Sequence, residues 1–526
     1  MQAGTRILRD EAIPANPNDL YIHGELAWIY LHKIAGYTDD SNRYYKRRMA
    51  FDWTILLGEP PQRAAGLDPR EEVIDRYANE WLRPIAEAPD TVETLVERNP
   101  TVATVIGRLT ELDIAIDSDL IRRYTYHEQL QNSVRRLEIE AGMGPNNRAF
   151  GEMLENPDLR PAIDDLINHL RKRAIIDENG MNPWQMIRYT EKHGPIDWRH
   201  PAAHALYWSQ QGIDRAVLRA TESNERNLDF VNTYRRLMQS LQELFRYGDI
   251  YFNFIDFALG DRGYYQALPN QYFARSYGAI EREVRERSGI FESTKRVRTT
   301  YMAGLENFVT DVILFFYRRG QIEEANYWYE ELRTLDRINI NDVIRTAERF
   351  TLPLDDFVKA NLYDRADSPN IAANQITAAL QGSFVSLLSG QTEAYERQFE
   401  YAVRNHEYFH SKQFRDVLAA AGTANRMEIV DPNFFYFAGT LFAIFLDGLD
   451  LDNARVLYTN APASLKRYGY DLLQTKFAER VEELAEAGGD PFEVMFPEPS
   501  GMPAFRAQVR EYERQRAQRI DGIQAQ

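Results

Sequence analysis

The most constraining feature of this sequence is a helix–turn–helix pattern that recurs along the chain. Its clearest copy runs from Leu305 to Leu332, where Gly320 separates two segments whose apolar residues have helical spacing. The apolar and small residues that carry this spacing are Val309, Val312, Ile313, Phe316, Ala325 and Tyr329. A helix pair of this kind cannot bury its apolar stripe alone and must stack on neighbouring pairs. We therefore predict an all-α protein of stacked antiparallel helix hairpins.

Further copies of the pattern lie on both sides of this hairpin. We predict helix pairs over 25–53, over 376–402 with a turn at Gly390, and over 436–461. The copies after residue 300 are spaced by about twice the 34 residues of a common helical repeat. Degenerate copies are therefore expected between them.

Breakers and composition divide the chain into four predicted regions. Prolines interrupt the helical pattern repeatedly after residue 69, which predicts an inserted α-helical region there. Glycine, proline and acidic residues are frequent after residue 488, which indicates a linker before a final helix. The predicted regions are an N-terminal hairpin at 1–68, the inserted helical region at 69–200, a helical repeat array at 201–487, and the linker with a capping or docking helix at 488–526.

The hairpins at 25–53, 305–332 and 436–461 resemble tetratricopeptide repeats. The resemblance implies an α-solenoid that binds a peptide or a whole protein on its concave face, with self-association as a further expectation. The strings at 16–34 and 194–208 are similar to uncharacterised large bacterial proteins of planctomycete type. That similarity implies a longer parent protein with a membrane anchor ahead of this chain.

Composition argues against several classes of function. The formal net charge of −17 makes a nucleic-acid partner unexpected, because phosphate binding needs a concentrated basic face. The basic clusters at 46–48 and 171–173 alternate with acidic segments and are predicted to be solvated helix faces. The chain has no cysteine, which removes disulfides and thiolate sites and leaves the compartment open. No window is long and apolar enough to span a bilayer, so we expect a soluble chain, with the cytoplasm favoured.

One string matches a catalytic motif. His406, Glu407 and His410 form the pattern H-E-x-x-H, in which two histidines share one face of a helix. They could bind one Zn²⁺ with Glu428 as a third ligand, while Glu407 acts as general base toward a bound water. Polar residues flank the motif, whereas a zinc site is buried and dry. The interpretation that we favour therefore packs Phe409 in the core, exposes both histidines and needs no cofactor, and a zinc-dependent metallohydrolase is the alternative.

A second pair of histidines, His200 and His204, also lies four residues apart. A residue that precedes proline is driven out of the helical conformation, so His200 is predicted to lie ahead of the helix that Pro201 begins. We predict that Trp198 is buried and that Asp197 or His200 accepts hydrogen bonds from free backbone amides. This pair therefore indicates a structural role.

Aromatic runs mark the candidate partner-binding surfaces. Aromatic clusters are more often core than site, but aromatic side chains also supply the anchors of protein interfaces. The candidate residues are Tyr251, Phe252, Phe254, Tyr264, Tyr265, Phe434 and Phe435. The sequence contains no phosphate-binding glycine loop and no nucleophile elbow. We therefore predict a non-catalytic scaffold that presents a concave, acidic and aromatic surface to a protein partner, and a structural subunit of a large bacterial assembly is the third hypothesis.

Overall fold

Helices make up most of the described chain, in agreement with the helical spacing of its apolar residues. No helix in the described part of the chain is both long and apolar enough to cross a membrane. The computed structural model describes residues 2–36, 41–61, 68–131, 133, 136–217, 226–260, 265–286, 295–334, 350–365, 369–413, 430–449, 451–486 and 490–524.

The chain divides into two units, Met1–Val297 and Arg298–Gln526. The finer predicted boundaries at residues 68, 200 and 487 stay predictions. The elements of the first unit are α1 (Gln2–Arg6), α2 (Ile13–Ala15), α3 (Leu20–Trp28), α4 (Asn42–Leu57), α5 (Arg70–Asp75), α6 (Arg83–Ala86), α7 (Val92–Arg98), α8 (Thr101–Glu111), α9 (Ser118–Gln131), α10 (Arg136–Gly142), α11 (Pro145–Glu155), α12 (Arg160–Arg173), α13 (Pro183–His193), α14 (Pro201–Val217), α15 (Arg226–Tyr247), β1 (Asp249–Phe252), α16 (Phe254–Ala258), β2 (Tyr265–Leu268) and α17 (Phe273–Glu286).

Several helices of the first unit contain π-helical stretches. These stretches are wider than an α-helix, because each backbone amide bonds to the carbonyl five residues earlier. In the described part of the first unit they span Ile7–Ala12, Ile29–Ala35, Arg76–Leu82 and Ala174–Glu178.

Helix α14 lies in the core of the first unit and packs on α3 and α15. Ala202, Ala205 and Leu206 near its start have no exposed surface. The small side chains at the start of α14 let the neighbouring helices approach closely, as dense packing requires. A second apolar cluster joins α7, α8, α9, α11 and α12, with Val105 and Phe150 fully buried in it.

The prediction that the basic cluster at 171–173 is a solvated helix face is wrong for Arg171 and Lys172, whereas Arg173 is partly exposed and pairs with Asp177. Lys172 is buried, and its Nζ pairs with a carboxylate oxygen of Asp90 at 2.7 Å and donates to a backbone carbonyl at 2.6 Å. Arg171 is also buried and donates to Thr125 Oγ1 at 3.2 Å. These long side chains supply donors to acceptors that would otherwise be buried without a partner.

A two-stranded antiparallel sheet interrupts the helices of the first unit, which the helical pattern does not predict. Strand β1 pairs with β2, so that Asp249 lies opposite Leu268 and Phe252 lies opposite Tyr265. Gly248 separates the sheet from the preceding helix α15. Aromatic and β-branched side chains favour strands, and the run from Ile250 to Phe252 is of this type. The chain is therefore mostly, but not entirely, helical.

The second unit contains longer helices, several of which end at glycine. One π-helical stretch, Phe409–Gln413, continues the helix that ends at Tyr408. The helices are α18 (Lys295–Arg318), α19 (Ile322–Thr334), α20 (Leu354–Arg365), α21 (Pro369–Leu388), α22 (Thr392–Tyr408), α23 (Phe434–Asp447), α24 (Leu451–Asn460), α25 (Ala463–Glu486), α26 (Phe492–Met495) and α27 (Met502–Gln524).

Glycine forms the turn of two predicted hairpins. Gly320 follows α18 with φ 75°, and Gly390 follows α21 with φ 71°, a conformation that residues with a side chain rarely adopt. The amide that follows each glycine donates to the carbonyl five residues earlier, at 3.0 Å and 2.8 Å respectively. These bonds satisfy carbonyls that the helix end leaves free. The predicted turns at Gly320 and Gly390 are confirmed.

Helices α21 and α22 form an antiparallel pair around the Gly390 turn. Gln398 Nε2 donates to the Gly382 carbonyl at 3.2 Å and to Ser386 Oγ at 2.9 Å, which joins the two helices across the turn. Ile376 and Ala402 are fully buried in the same apolar cluster. The helix pair predicted over 376–402 is therefore present.

Helix α23 packs most extensively on α25, and the two helices run in the same direction. Gly439 contacts Gly469, and further along the pair Lys476 Nζ binds Asp447 Oδ2 at 2.9 Å. A Cβ atom on Gly439 would lie 2.3 Å from the Cβ of Tyr468, which is too close for any packed pair of carbons. The predicted hairpin pairs α23 with the next helix, α24, whereas the closest packing in the structure is with α25.

The stretch predicted as a linker contributes to the core of the second unit where it is described. Phe492, Phe496 and Met502 are 7%, 0% and 1% exposed. The ring of Phe496 lies 5.2 Å from that of Phe477 on α25. The connection to α27 is therefore packed against the helices that it follows.

Candidate functional site

The H-E-x-x-H string and the Phe434–Phe435 run, predicted as separate sites, lie side by side in the second unit. The ring of His406 on α22 is 5.3 Å from that of Phe434, the first residue of α23. Helix α23 begins at that point because the side chain of Asn433 accepts a hydrogen bond from the Tyr436 amide at 3.1 Å and caps the helix. The fold thus joins the two predicted sites in one candidate surface.

The histidines of the motif are not both exposed, so that part of the prediction is wrong. His406 is only 4% exposed and His410 is half-buried, whereas Phe409 is fully buried, as predicted. Phe399 and His406 on α22 contact α23, while the ring of Tyr395 contacts Phe399 and the ring of His410, in the π-helical stretch that follows, contacts His406. Both histidines therefore lie on the aromatic face of the helix. The polar residues that flank the motif in sequence give no indication of this burial.

Burial keeps both histidines uncharged. His406 Nε2 donates to the backbone carbonyl of Asp431 at 2.7 Å. Burial lowers the pKa of His406, and this effect outweighs the opposing influence of Asp431 and Glu407. Burial, together with nearby His406, lowers the pKa of His410 to about 4. Both imidazoles are therefore neutral at pH 7, and their rings can lie 4.5 Å apart without repulsion.

The arrangement offers incomplete support for a metal centre. His410 Nε2 is buried without a hydrogen-bond partner in the described part of the chain, as a potential ligand atom would be. His406 Nε2, in contrast, is committed to the Asp431 carbonyl. Glu407 is exposed, and Glu428, the predicted third ligand, lies outside the described residues. Among the described residues, no three histidine or carboxylate side chains converge on a point suited to a metal ion.

Partly exposed rings form a continuous row across three helices of the second unit. We call this set the aromatic row; centroid distances between successive rings are 5.5 Å within α22, 5.4 Å from α22 to α23, 5.5 Å within α23 and 6.4 Å from α23 to α25. Phe435 is the most accessible of its phenylalanines, at 39% exposed. The aromatic row consists of Tyr395, Phe399, Phe434, Phe435 and Tyr468.

Part of the aromatic row lies on α23 and α25, whose backbones are in direct contact. The contact between Gly439 and Gly469 lies beside it and sets the distance between α23 and α25. The ring of Phe505 on α27 packs edge-on against Tyr468 at 4.6 Å. The sequence predictions missed Tyr395, Phe399 and Tyr468. The spacing of Tyr395 and Phe399, four residues apart on one helix face, is the signal that could have indicated the first two.

The other predicted aromatic residues lie in the first unit, at the two-stranded sheet. Tyr251 is 48% exposed, and Phe252 and Tyr265 are half-buried. Phe254 is 2% exposed and stacks on Phe51 at 4.6 Å, so it belongs to the core and not to an open surface. Tyr264 lies outside the described residues. Tyr251 is thus the most accessible described residue of this group.

The second histidine pair has the structural role that its sequence predicts. His200 precedes α14, and its Nδ1 accepts a hydrogen bond from the Ala202 amide at 3.0 Å. Trp198 is fully buried, and Asp197 Oδ1 accepts from the Arg199 amide at 3.1 Å. Burial lowers the pKa of His200 to about 3, so it is neutral when it accepts this bond. The predicted burial and capping are confirmed.

Comparison with known protein families, with curated proteins and with solved structures finds no match to this chain.

Proposed function

We propose that the protein is a non-catalytic helical-repeat scaffold that binds a protein or peptide partner through the aromatic row of the second unit. The observation that carries this proposal is the row itself, in which rings from α22, α23 and α25 are partly exposed side by side. A scaffold of helix pairs holds such side chains at fixed spacing, and helical repeats present extended surfaces of this kind.

Rigid aromatic side chains suit the role of interface anchors. They bring a large apolar area to a contact and lose little conformational freedom on binding. Phe435 already stacks on Tyr468 with an interplanar angle of 14°, so its ring is ordered before a partner arrives. Preorganisation of this kind lowers the entropic cost of association.

The net charge of the chain favours a basic partner. Glu396 and Glu407 on α22 are exposed and make no hydrogen bond or ion pair with a described residue. Glu407 follows His406 in sequence, whereas Glu396 lines a pocket on another side of α22 together with Arg397 and Arg404. The chain as a whole carries a formal net charge of −17, which adds a long-range attraction for cationic segments. The expected partner segment therefore has apolar anchors flanked by lysine or arginine.

Two substitutions on the same helix test the proposal. Phe435 belongs to the row, whereas Ile444 on α23 is 49% exposed and lies outside it. Proteins from the source cells would be captured on the wild-type chain, on Phe435→Ala and on Ile444→Ala, and the affinity of any purified partner would then be measured by calorimetry. We expect Phe435→Ala to weaken that affinity about tenfold or more, as truncation of an interface hot spot does.

A control variant and a charge-reversal variant complete the test. Ile444→Ala should retain the partner with unchanged affinity, and replacement of Glu396 and Glu407 by lysine should slow association and reduce its salt dependence. A partner that binds Phe435→Ala as tightly as the wild type would refute the aromatic row as the binding surface.

The zinc hydrolase is retained as a second candidate because His410 Nε2 is a buried nitrogen without a partner in the described structure. If His406, His410 and Glu428 bind Zn²⁺, purified protein carries close to one zinc per chain and His410→Gln loses it. A zinc content that is the same in wild type and His410→Gln would end this hypothesis. The structural-subunit hypothesis predicts a stable oligomer instead, which light scattering after size-exclusion chromatography measures directly.

A further inference from the structure

The first unit contains a cavity of about 590 Å³ that none of the predicted sites includes. Its walls come from the N-terminal helices, from α4, from the start of α9 and from the stretch that follows α12. Three π-helical stretches reach it and contribute Arg9, Tyr30 and Glu178. Such wide turns inside α-helices recur at functional sites, and the volume is in the range of pockets that bind small molecules.

The inner wall of the cavity is aromatic and fixed in place. Tyr30 stacks on His204 at 5.1 Å, and Trp53 packs edge-on against the same imidazole at 4.3 Å. His204 is held from behind, because its Nε2 donates to the Trp198 carbonyl at 2.9 Å. Met49 adds apolar surface beside these rings. This wall suits a flat, apolar body.

The lining of the cavity is rich in arginine, although the chain as a whole is acidic and one of these arginines, Arg9, is already paired with Asp10. The lining contains four arginines and three carboxylates, which gives a formal charge of +1, whereas the full chain carries −17. The arginines are Arg6, Arg9, Arg48 and Arg122, and the carboxylates are Asp52, Asp119 and Glu178.

The rim leaves donors available to a ligand. Arg48 Nε binds Asp52 Oδ2 at 2.9 Å, and Arg122 binds Asp119, so each of these arginines has nitrogens left over. Arg6 is exposed at the rim and makes no hydrogen bond or ion pair with a described residue. A guanidinium group carries five N–H donors in a planar fork that matches carboxylate, sulfonate and phosphate oxygens.

We propose that this cavity binds a small organic anion with a flat apolar body, which inserts its rings beside Tyr30 and Trp53 and directs its acidic group to Arg6 and Arg48. The proposal is independent of the function assigned to the aromatic row, since every residue that it uses belongs to the first unit. It also predicts that Asp52 weakens binding of the ligand, because its carboxylate competes with the ligand for Arg48.

The probe for the test is anilinonaphthalene sulfonate, which has a flat apolar body and a single sulfonate, and N-phenylnaphthylamine is its uncharged counterpart. Binding to the full chain would be followed by fluorescence and located by hydrogen exchange. We expect the double variant Arg6→Gln/Arg48→Gln to weaken sulfonate binding about tenfold, since charge-assisted hydrogen bonds are lost. Asp52→Asn should instead tighten it, because Arg48 is released.

Two further variants distinguish binding at this site from nonspecific binding of the dye. Arg108→Gln changes an exposed arginine on α8, away from the cavity lining, and should leave binding unchanged. Ser118→Trp places a large side chain at the exposed rim and should abolish binding without disturbing the core. Equal binding of the charged and uncharged probes would overturn the proposal, as would sulfonate binding that survives Ser118→Trp.

Discussion

Arg199 and Asp197 form a two-pronged ion pair in the core of the first unit. Arg199 Nε lies 3.0 Å from Asp197 Oδ1, and Nη2 lies 2.9 Å from Oδ2, while the two side chains are 2% and 0% exposed. Arg199 also donates to the Ile250 carbonyl at 2.9 Å and to Glu59 at 2.7 Å. It therefore connects the start of α14 to strand β1 and to the residues after α4.

Replacement of Arg199 by methionine is expected to destabilise the first unit strongly. Asp197 would keep a buried charge without its counter-ion, a loss of about 3–5 kcal/mol in the free energy of unfolding. Urea unfolding followed by tryptophan fluorescence measures this unit, because six of the seven tryptophans lie in it. Glu59→Gln removes only a half-exposed partner of Arg199 and should cost less than about 1 kcal/mol. Equal losses of stability in Arg199→Met and Glu59→Gln would contradict the dominant role of the buried Arg199–Asp197 pair.

Two glycine-to-alanine substitutions in the second unit are expected to have opposite effects. Gly439→Ala would force α23 away from α25 and lower stability by about 1–3 kcal/mol, as overpacking does. Gly304→Ala, in α18, meets no atom within 4 Å and should stabilise by about 0.5–1 kcal/mol, since alanine favours the helix. Thermal unfolding followed by circular dichroism distinguishes the two signs. If both substitutions shift the unfolding temperature in the same direction, close backbone contact at Gly439 does not determine the packing of α23 on α25.

The two histidines of the second unit are expected to make it acid-sensitive. The pKa of His410 is about 4 in the folded chain against an ordinary value of 6.5, so the unfolded chain binds more protons between these values. Stability is therefore complete above pH 6.5 and falls as the pH drops toward 4, with a slope of at most about 1.4 kcal/mol per pH unit for each such histidine. Urea midpoints at pH 7 and pH 5 measure the loss, which His410→Gln should reduce. An unchanged pH dependence in that variant would show that His410 is not protonated differently on unfolding.

The attachment of α27 is expected to be sensitive to salt. Arg506 binds Asp471 through two nitrogens, at 2.6 Å and 3.0 Å, and Glu498 at 2.7 Å, all on exposed surface where added salt screens charge. Amide hydrogen exchange along α27 should therefore quicken at high salt and in Arg506→Gln. Arg510→Gln, four residues further on, removes an exposed arginine without a described ion pair and should leave the exchange rates unchanged.

Local signals in the sequence predicted much of the helical framework. Gly320 and Gly390 mark real turns, because a left-handed residue after a helix is a local requirement that the sequence displays directly. Pro201 likewise places His200 outside α14. The β1–β2 sheet was missed because four-residue strands carry too little periodicity to stand out among helices.

Contacts between distant segments could not be predicted in the same way. The pairing of α23 with α25 depends on Gly439 and Gly469, and neither glycine has a local signature that names the other. The cavity of the first unit was missed because its residues come from separate segments. Arg48, for example, lies in a basic cluster that looks in sequence like an ordinary solvated helix face.

The Gly439–Gly469 contact has a consequence for how this surface can change in evolution. The two helices approach each other closely at the backbones of Gly439 and Gly469, and the ring of Phe435 takes no part in that contact. Phe435 can therefore be exchanged for other residues while the helices keep their separation. The choice of partner and the stability of the fold can therefore evolve independently.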